Sequence, residues 1–215
     1  MTSKEVRARI EEAGIVATLR VSSADEALFA AVAVVAGGIP VIEIPLTVPQ
    51  ATEVIAQLVK KHPDIVVGAG GVTDTAVARQ CLDAGAQFLT SDGLHSGVIE
   101  FAVKQDVTVF PGALTPTEVM TAWEAHSDFV KVVPCAQIGG EIYIGSLHRM
   151  FPHIPLIAAG GVSPKNASKF IFAGATALGI GRELLPPEAL RLRQAGRISN
   201  LARRFLSYVK SGRGH

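Results

Sequence analysis

Residues 15–44 read IVATLRVSSADEALFAAVAVVAGGIPVIEI. A β-branched run, Ile15–Arg20, passes into helical patterning over Ala24–Ala36. Gly37-Gly38 stops that helix, and a second apolar run covers Val41–Ile44. The unit then recurs. Further strands are predicted over Ile65–Ala69, Gln87–Ser91, Val107–Phe110, Phe129–Val133, Leu156–Ala159 and Ala177–Ile180, with helical segments such as Ala51–Lys61 and Asn166–Ala173 between them. The strands are nearly continuous apolar runs, as in a parallel sheet covered on both faces, and their spacing leaves room for one crossover helix each. Eight such units suit a closed (β/α)8 TIM barrel at the small end of its size range. An open doubly wound sheet is the rival, but eight regular units and the lack of a dinucleotide fingerprint favour closure. No linker or composition break appears, so residues 1–215 are expected to form a single domain. A helix up to about Ala13 is expected to cap the barrel bottom.

Composition narrows the function. Of the 215 residues 48% are hydrophobic and 18% charged, which excludes intrinsic disorder. A net charge of +1 gives no basic footprint, so nucleic acid is not an expected partner. The N-terminal stretch lacks the apolar core of a signal peptide. Ala27–Ile42 is uncharged but too interrupted to span a membrane, and a soluble cytoplasmic protein is expected. Cys81 and Cys135 form no disulfide framework, and the six histidines (His62, His95, His126, His148, His153 and His215) show no metal-ligand spacing.

In a barrel, chemistry belongs at the C-terminal ends of the strands. Ionisable residues fall there at Arg20, Glu43 and Lys131, and glycines at Gly70-Gly71, Gly160-Gly161 and Gly181. Lys131 lies between Val130 and Val132, so it faces either the lumen or the helix layer. Burial in either place works against an ammonium and towards the amine that Schiff-base chemistry uses. A lysine snorkelling past apolar neighbours would be the bland explanation. Glu43, flanked by Ile42 and Ile44, is a candidate partner: a buried carboxylate suited to moving protons, or one half of a structural ion pair. Gly160-Gly161 and Gly181-Arg182 close the last two strands, where barrels commonly cradle phosphate on backbone N–H groups.

With these residues placed, the chain resembles the class I aldolases that cleave 2-keto-3-deoxy-6-phosphogluconate (KDPG) and 4-hydroxy-2-oxoglutarate (KHG). The resemblance runs from about Gly14 to Pro186. Ala-Thr-Leu-Arg at 17–20, Glu-Ile-Pro-Leu-Thr-Val-Pro at 43–49 and Gly-Ala-Gly-Gly-Val at 68–72 carry its first half. Pro-Gly-Ala-Leu-Thr-Pro-Thr-Glu at 111–118, Val-Lys-Val-Val-Pro at 130–134 and Gly-Gly-Val at 160–162 carry the second. It implies Lys131 as the Schiff-base lysine and Glu43 as the proton acceptor and donor. It implies that Arg20 and Thr47 hold the substrate carboxylate; other members have arginine where Thr47 stands, so Arg20 is the expected substitute cation. Gly71, Gly160, Gly161 and Arg182 complete the implied substrate contacts. The reaction is cleavage of a 2-oxo-4-hydroxy acid to pyruvate and an aldehyde, with no cofactor and no metal.

The chain departs from the family pattern where Gly71 replaces a threonine, Asp92 a proline, Val133 a phenylalanine, Ala159 a threonine and Arg182 a serine. These bear on substrate identity more than on reaction class. Asp92 is expected to bring a carboxylate to the mouth. Arg182 is expected to read an anionic tail with its planar fork of donors. A phosphosugar isomerase or synthase on the same barrel would use the same glycine loops without a lysine imine, and a ligand-binding barrel without turnover is the non-enzymatic alternative. His95 is a lesser candidate for touching substrate, and Cys135 reads as packing. The helical stretch Ala27–Ala36 is apolar on every face, so either a second subunit or another part of the same chain must cover it. With a family that is typically trimeric, a homotrimer is expected.

Overall fold

In the computed structural model, which describes residues 1–214, each apolar run becomes a strand of one parallel sheet. His215, one of the six histidines, lies outside the described residues. The chain begins with α1 (Ser3–Ala13), then β1 (Ile15–Thr18), α2 (Ala24–Ala36), β2 (Val41–Pro45), α3 (Ala51–Lys61), β3 (Val66–Gly70), α4 (Thr75–Asp83), β4 (Phe88–Thr90) and α5 (Ser96–Lys104). It continues with β5 (Thr108–Phe110), β6 (Gly112–Ala113), α6 (Pro116–Glu124), β7 (Val130–Val132), α7 (Gly140–Met150), β8 (Leu156–Ala159), α8 (Ala167–Phe172), β9 (Ala175–Ile180), α9 (Pro187–Arg191) and α10 (Ala195–Gly212).

The sheet order is β5-β4-β3-β2-β1-β9-β8-β7-β6. The fifth stave runs beyond the expected Val107–Phe110 and is split, because Pro111 has no N–H to give the ladder. Its lower part, β5, pairs with β4 and its upper part, β6, pairs with β7. The backbone N–H of Asp128 reaches the Val109 carbonyl at 2.9 Å, and that of Lys131 reaches the Pro111 carbonyl at 2.9 Å. One stave therefore bonds to both neighbours, and the sheet closes as a (β/α)8 barrel.

Strand alternation sorts side chains into two cores. Ile42, Ile44, Val67, Leu89, Val130, Val132, Leu156 and Leu178 face outwards and pack beneath the helices. Inside, each stave contributes one residue to a separate cluster: Val16, Val41, Val66, Phe88, Phe110, Phe129, Ile157 and Ala177. Phe110 stacks on Phe88 at 5.0 Å and meets Phe129 edge-on at 5.9 Å. The bottom is plugged by α1, whose Val6 and Ile10 join this cluster. A capping box between Thr2 and Glu5 starts that helix, and Gly14 ends it in the left-handed region.

The helix α2 finds part of its cover within the same chain. One face of it is covered by α10, where Ser199 Oγ donates to the Ala33 carbonyl at 2.8 Å. A Cβ on Gly37 would lie 2.4 Å from that of Ala202. Cover from within the chain thus reaches one face of α2, while Val32 stays 50% exposed. At its far end α10 returns to the barrel bottom, where the Arg213 guanidinium donates to the last carbonyls of α1, those of Glu11 and Glu12.

Candidate active site

The upper lumen holds what the lower does not: charged side chains. Lys131 and Glu43 both point inwards, because their neighbours Val130, Val132, Ile42 and Ile44 take the outward positions. Both side chains are almost fully buried. Glu43 lies over Gly70 on the next strand, where a Cβ would come within 2.3 Å of Glu43 Oε1, so a glycine is required there. Burial pushes the Glu43 carboxyl above its usual range, with the nearby Lys131 charge opposing the shift.

The Lys131 ammonium is paired, and not as expected. Its Nζ donates to Thr90 Oγ1 at 2.7 Å and to Asp92 Oδ1 at 2.8 Å. Glu43 is a neighbour in the field but not the ion-pair partner. The other Asp92 oxygen, Oδ2, accepts from Arg20 Nη2 at 3.1 Å. Burial acts to raise the Asp92 carboxyl, but the Lys131 and Arg20 charges outweigh it and hold the group below the usual carboxylate range. A Ser91 Oγ bond to the Gly93 carbonyl fixes the turn that carries Asp92. That turn leans on Gly112, where a Cβ would strike the Asp92 backbone at 2.3 Å.

Above Lys131 opens a cavity of about 640 Å³. Arg20, Glu43, Lys131, Gly160, Gly161 and Arg182 all line it, as do Asp92, Val133 and Ala159. Gly160 and Gly161 take consecutive φ values of 78° and 81°, a conformation side chains rarely adopt. Cβ atoms there would also collide with Pro134 and Ala136, so the loop after β8 can lie flat on the loop after β7. The Arg182 side chain has no ion pair or hydrogen-bonded partner among the described residues, and Glu188, the surface alternative, is bound instead to Arg197 at 3.0 Å. Its guanidinium is thus free to meet a ligand.

Two expected residues are not among the cavity walls. Thr47 is exposed in the turn after β2 and does not line the cavity. Gly71 is exposed just past β3 and has no side chain with which to reach inwards. His95 is likewise not a wall residue. Burial raises the Cys135 thiol to about 12, which suits packing and not nucleophilic chemistry. Thr90, Gln137, Ser163 and Glu183 are site residues that the sequence reading missed. Thr90 ends β4 and the others lie in the segments after β7, β8 and β9, where polar residues carry no pattern that separates them from ordinary turn residues. Among the described residues no group of three or more His, Cys, Asp or Glu is placed to hold a metal ion. Among the described residues no helix is long and apolar enough to cross a membrane.

A (β/α)8 barrel in which a buried lysine and a buried carboxylate meet at the C-terminal ends of the strands has the architecture of a class I aldolase. Comparison with known proteins agrees. The family model for KDPG and KHG aldolases matches residues 6–201. The 2-dehydro-3-deoxy-6-phosphogalactonate aldolase of Escherichia coli K12 is 36% identical over 172 residues, 79% of this chain and 83% of that protein. The native KDPGal structure superposes with a TM-score of 0.86 at 32% identity, covering 94% of this chain and 96% of that one. A KDPG aldolase from Legionella pneumophila, solved with pyruvate captured as a covalent carbinolamine, gives a TM-score of 0.85 at 25% identity over 92% of this chain and 96% of that one. The chain belongs to the KDPG and KHG aldolase family.

Proposed function

We propose that this protein cleaves a 2-oxo-4-hydroxy acid, of the KDPG or KHG type, to pyruvate and an aldehyde through an imine on Lys131. The observation that carries the reading is the meeting of Lys131 and Glu43, both buried, on the floor of a cavity walled by Gly160-Gly161 and Arg182. The Lys131 amine attacks the C2 ketone, and loss of water leaves an iminium. Glu43 takes the C4 hydroxyl proton, directly or through a water, and the C3–C4 bond breaks with its electron pair drawn towards the iminium. The aldehyde departs. Glu43 then returns a proton to C3 of the enamine, and hydrolysis frees pyruvate. The iminium does the polarising that a metal would otherwise supply, so the reaction is metal-independent. Arg20 at the mouth suits the substrate carboxylate, and Arg182 with the two glycines suits an anionic tail.

The experiment is reductive trapping. Pyruvate with borohydride should leave a stable adduct that peptide mass spectrometry locates on Lys131, and Lys131→Ala should carry none. An unlabelled Lys131, under conditions that label another imine-forming aldolase, would overturn the reading.

A homotrimer belongs to the same reading. In support, Ile142 on α7 and Phe172 at the end of α8 stand 76% and 85% exposed. The two helices are neighbours, linked by a Lys169–Glu141 ion pair at 3.6 Å. Large apolar side chains displayed so fully suit a contact with another copy. Light scattering that finds only monomer at micromolar concentration would contradict it. A cytoplasmic location is also part of the reading, in keeping with two free cysteines.

A further inference from the structure

We propose that Asp92 is a catalytic residue of the imine chemistry, the counter-ion that keeps the Lys131 imine protonated. The inference rests on the reading above, that Lys131 forms the imine. Its grounds are geometric. Asp92 Oδ1 lies 2.8 Å from Lys131 Nζ, the atom that becomes the imine nitrogen. Arg20 holds the other oxygen at 3.1 Å, so the carboxylate is aimed from one side and charged from the other. The turn at Ser91–Gly93 and its seat on Gly112 fix the carboxylate from behind.

Proton accounting shows why such a group is useful. Lys131 rests as an ammonium with three protons and charge +1, and lends one of them to Glu43 or water so that the amine can attack, to be returned when the ketone oxygen leaves. One proton stays on the iminium nitrogen, and two leave with the former ketone oxygen as water, so the product nitrogen is again +1. Asp92 therefore faces a cation at both ends of the step and needs no reorganisation between them. Of the two bonds that Nζ now donates, to Thr90 and Asp92, only one N–H survives in the iminium, and the charged acceptor is the stronger claimant. Retaining that proton matters because a neutral imine withdraws electrons from C3–C4 far less well than an iminium. Burial acts to raise the Asp92 carboxyl, but the two cations prevail, and Asp92 stays ionised over the working range. The other ionisable groups of the cavity are Glu43 on β2, Arg20 after β1, and Arg182 and Glu183 after β9. His95 flanks the turn that bears Asp92. None of these gives Nζ a carboxylate within ion-pair distance.

The test is the pH dependence of trapping in wild type and Asp92→Asn, with Asp92→Ala as a second variant should the first fail to fold. Each protein is incubated with pyruvate from pH 6 to 10 and reduced briefly with borohydride, and the Lys131 adduct is quantified by mass spectrometry. The variants should label near pH 6 within a few-fold of wild type. The alkaline fall should move to lower pH by about 1 unit or more, the usual effect of removing an opposite charge at this distance. Added formate should move the limb of Asp92→Ala back. Superimposable profiles would overturn the proposal. So would variants that retain their melting temperature yet label at no pH, since Asp92 would then be needed to build the imine and not to hold its charge. A wild type that fails to label is a different failure, because it removes the imine reading itself.

Discussion

Two carboxylates flank Lys131, and their surroundings drive them apart. Burial raises Glu43, while Asp92, despite partial burial, is held low by two cations. Groups separated in this way can serve as acid and base within one site. The Glu43 shift also has a stability consequence. Its folded carboxyl holds a proton to higher pH than the unfolded one, whose ordinary value is 4.5, so the folded state binds more protons between those two points. Wild-type stability should therefore fall, relative to Glu43→Gln, as pH rises above about 4.5. Urea melts at pH 4 and pH 7 check this; a gap between the two proteins that does not change would contradict it. The same variant should lose about a hundredfold or more in kcat, as expected for a lost acid–base group.

Arg182 makes a second residue-scale expectation. Arg182→Ala should cost a phosphorylated or dicarboxylate substrate about 1.5 to 3 kcal/mol, the range for a hydrogen bond to a charged group. That is roughly ten- to a hundredfold in kcat/KM, with little change for a tail-less 2-oxo acid. Equal losses on all three substrates would show that the arginine does not read the tail. Lys131 and Glu43 were legible in the sequence because a charge between β-branched neighbours has few inexpensive explanations. The Lys131–Asp92 pair was not, since Asp92 lies 39 residues away in a turn and only closure of the barrel brings the two together.

At the scale of elements, the order of strands and helices could be read from apolar runs and glycine stops. The interruption at Pro111 was less visible, because a proline near a strand end reads as a boundary and not as a change of partner. The cover of α2 was illegible for a different reason. Nothing local to residues 24–36 reveals a helix that begins at Ala195. That contact is tight enough to test. A methyl on Gly37 would meet Ala202 Cβ at 2.4 Å and the Ser199 carbonyl at 2.6 Å. Gly37→Ala should cost about 1 to 3 kcal/mol, the range for overpacking, seen as a lower urea midpoint. Trapping on Lys131 should remain intact below the transition, since α2 and α10 contribute no catalytic group. An unchanged midpoint would mean that α10 can shift outwards freely.

Across the whole molecule, chemistry and structural support sit at opposite ends of one lumen. The apolar cluster and α1 close the bottom, and the charged cavity occupies the top. The bottom also holds the clasp between Arg213 and the end of α1, a cation set on helix carbonyls that favour one. Through it the described chain comes back to the end of its first helix, so the connectivity is close to circular. Which stave counts as first is then an accident of where the backbone is cut, and the cut can be moved. A linker of about ten residues should bridge the two ends, since α1 spans only about 16 Å at 1.5 Å per residue. The chain can be opened instead at the bottom loop beside Asp106, far from the imine lysine. Such a circular permutant should still fold and label at Lys131, as permutation at exposed loops between adjacent ends commonly allows. A permutant that folds but does not label would mean that the original order of the staves is needed to set the lysine in place.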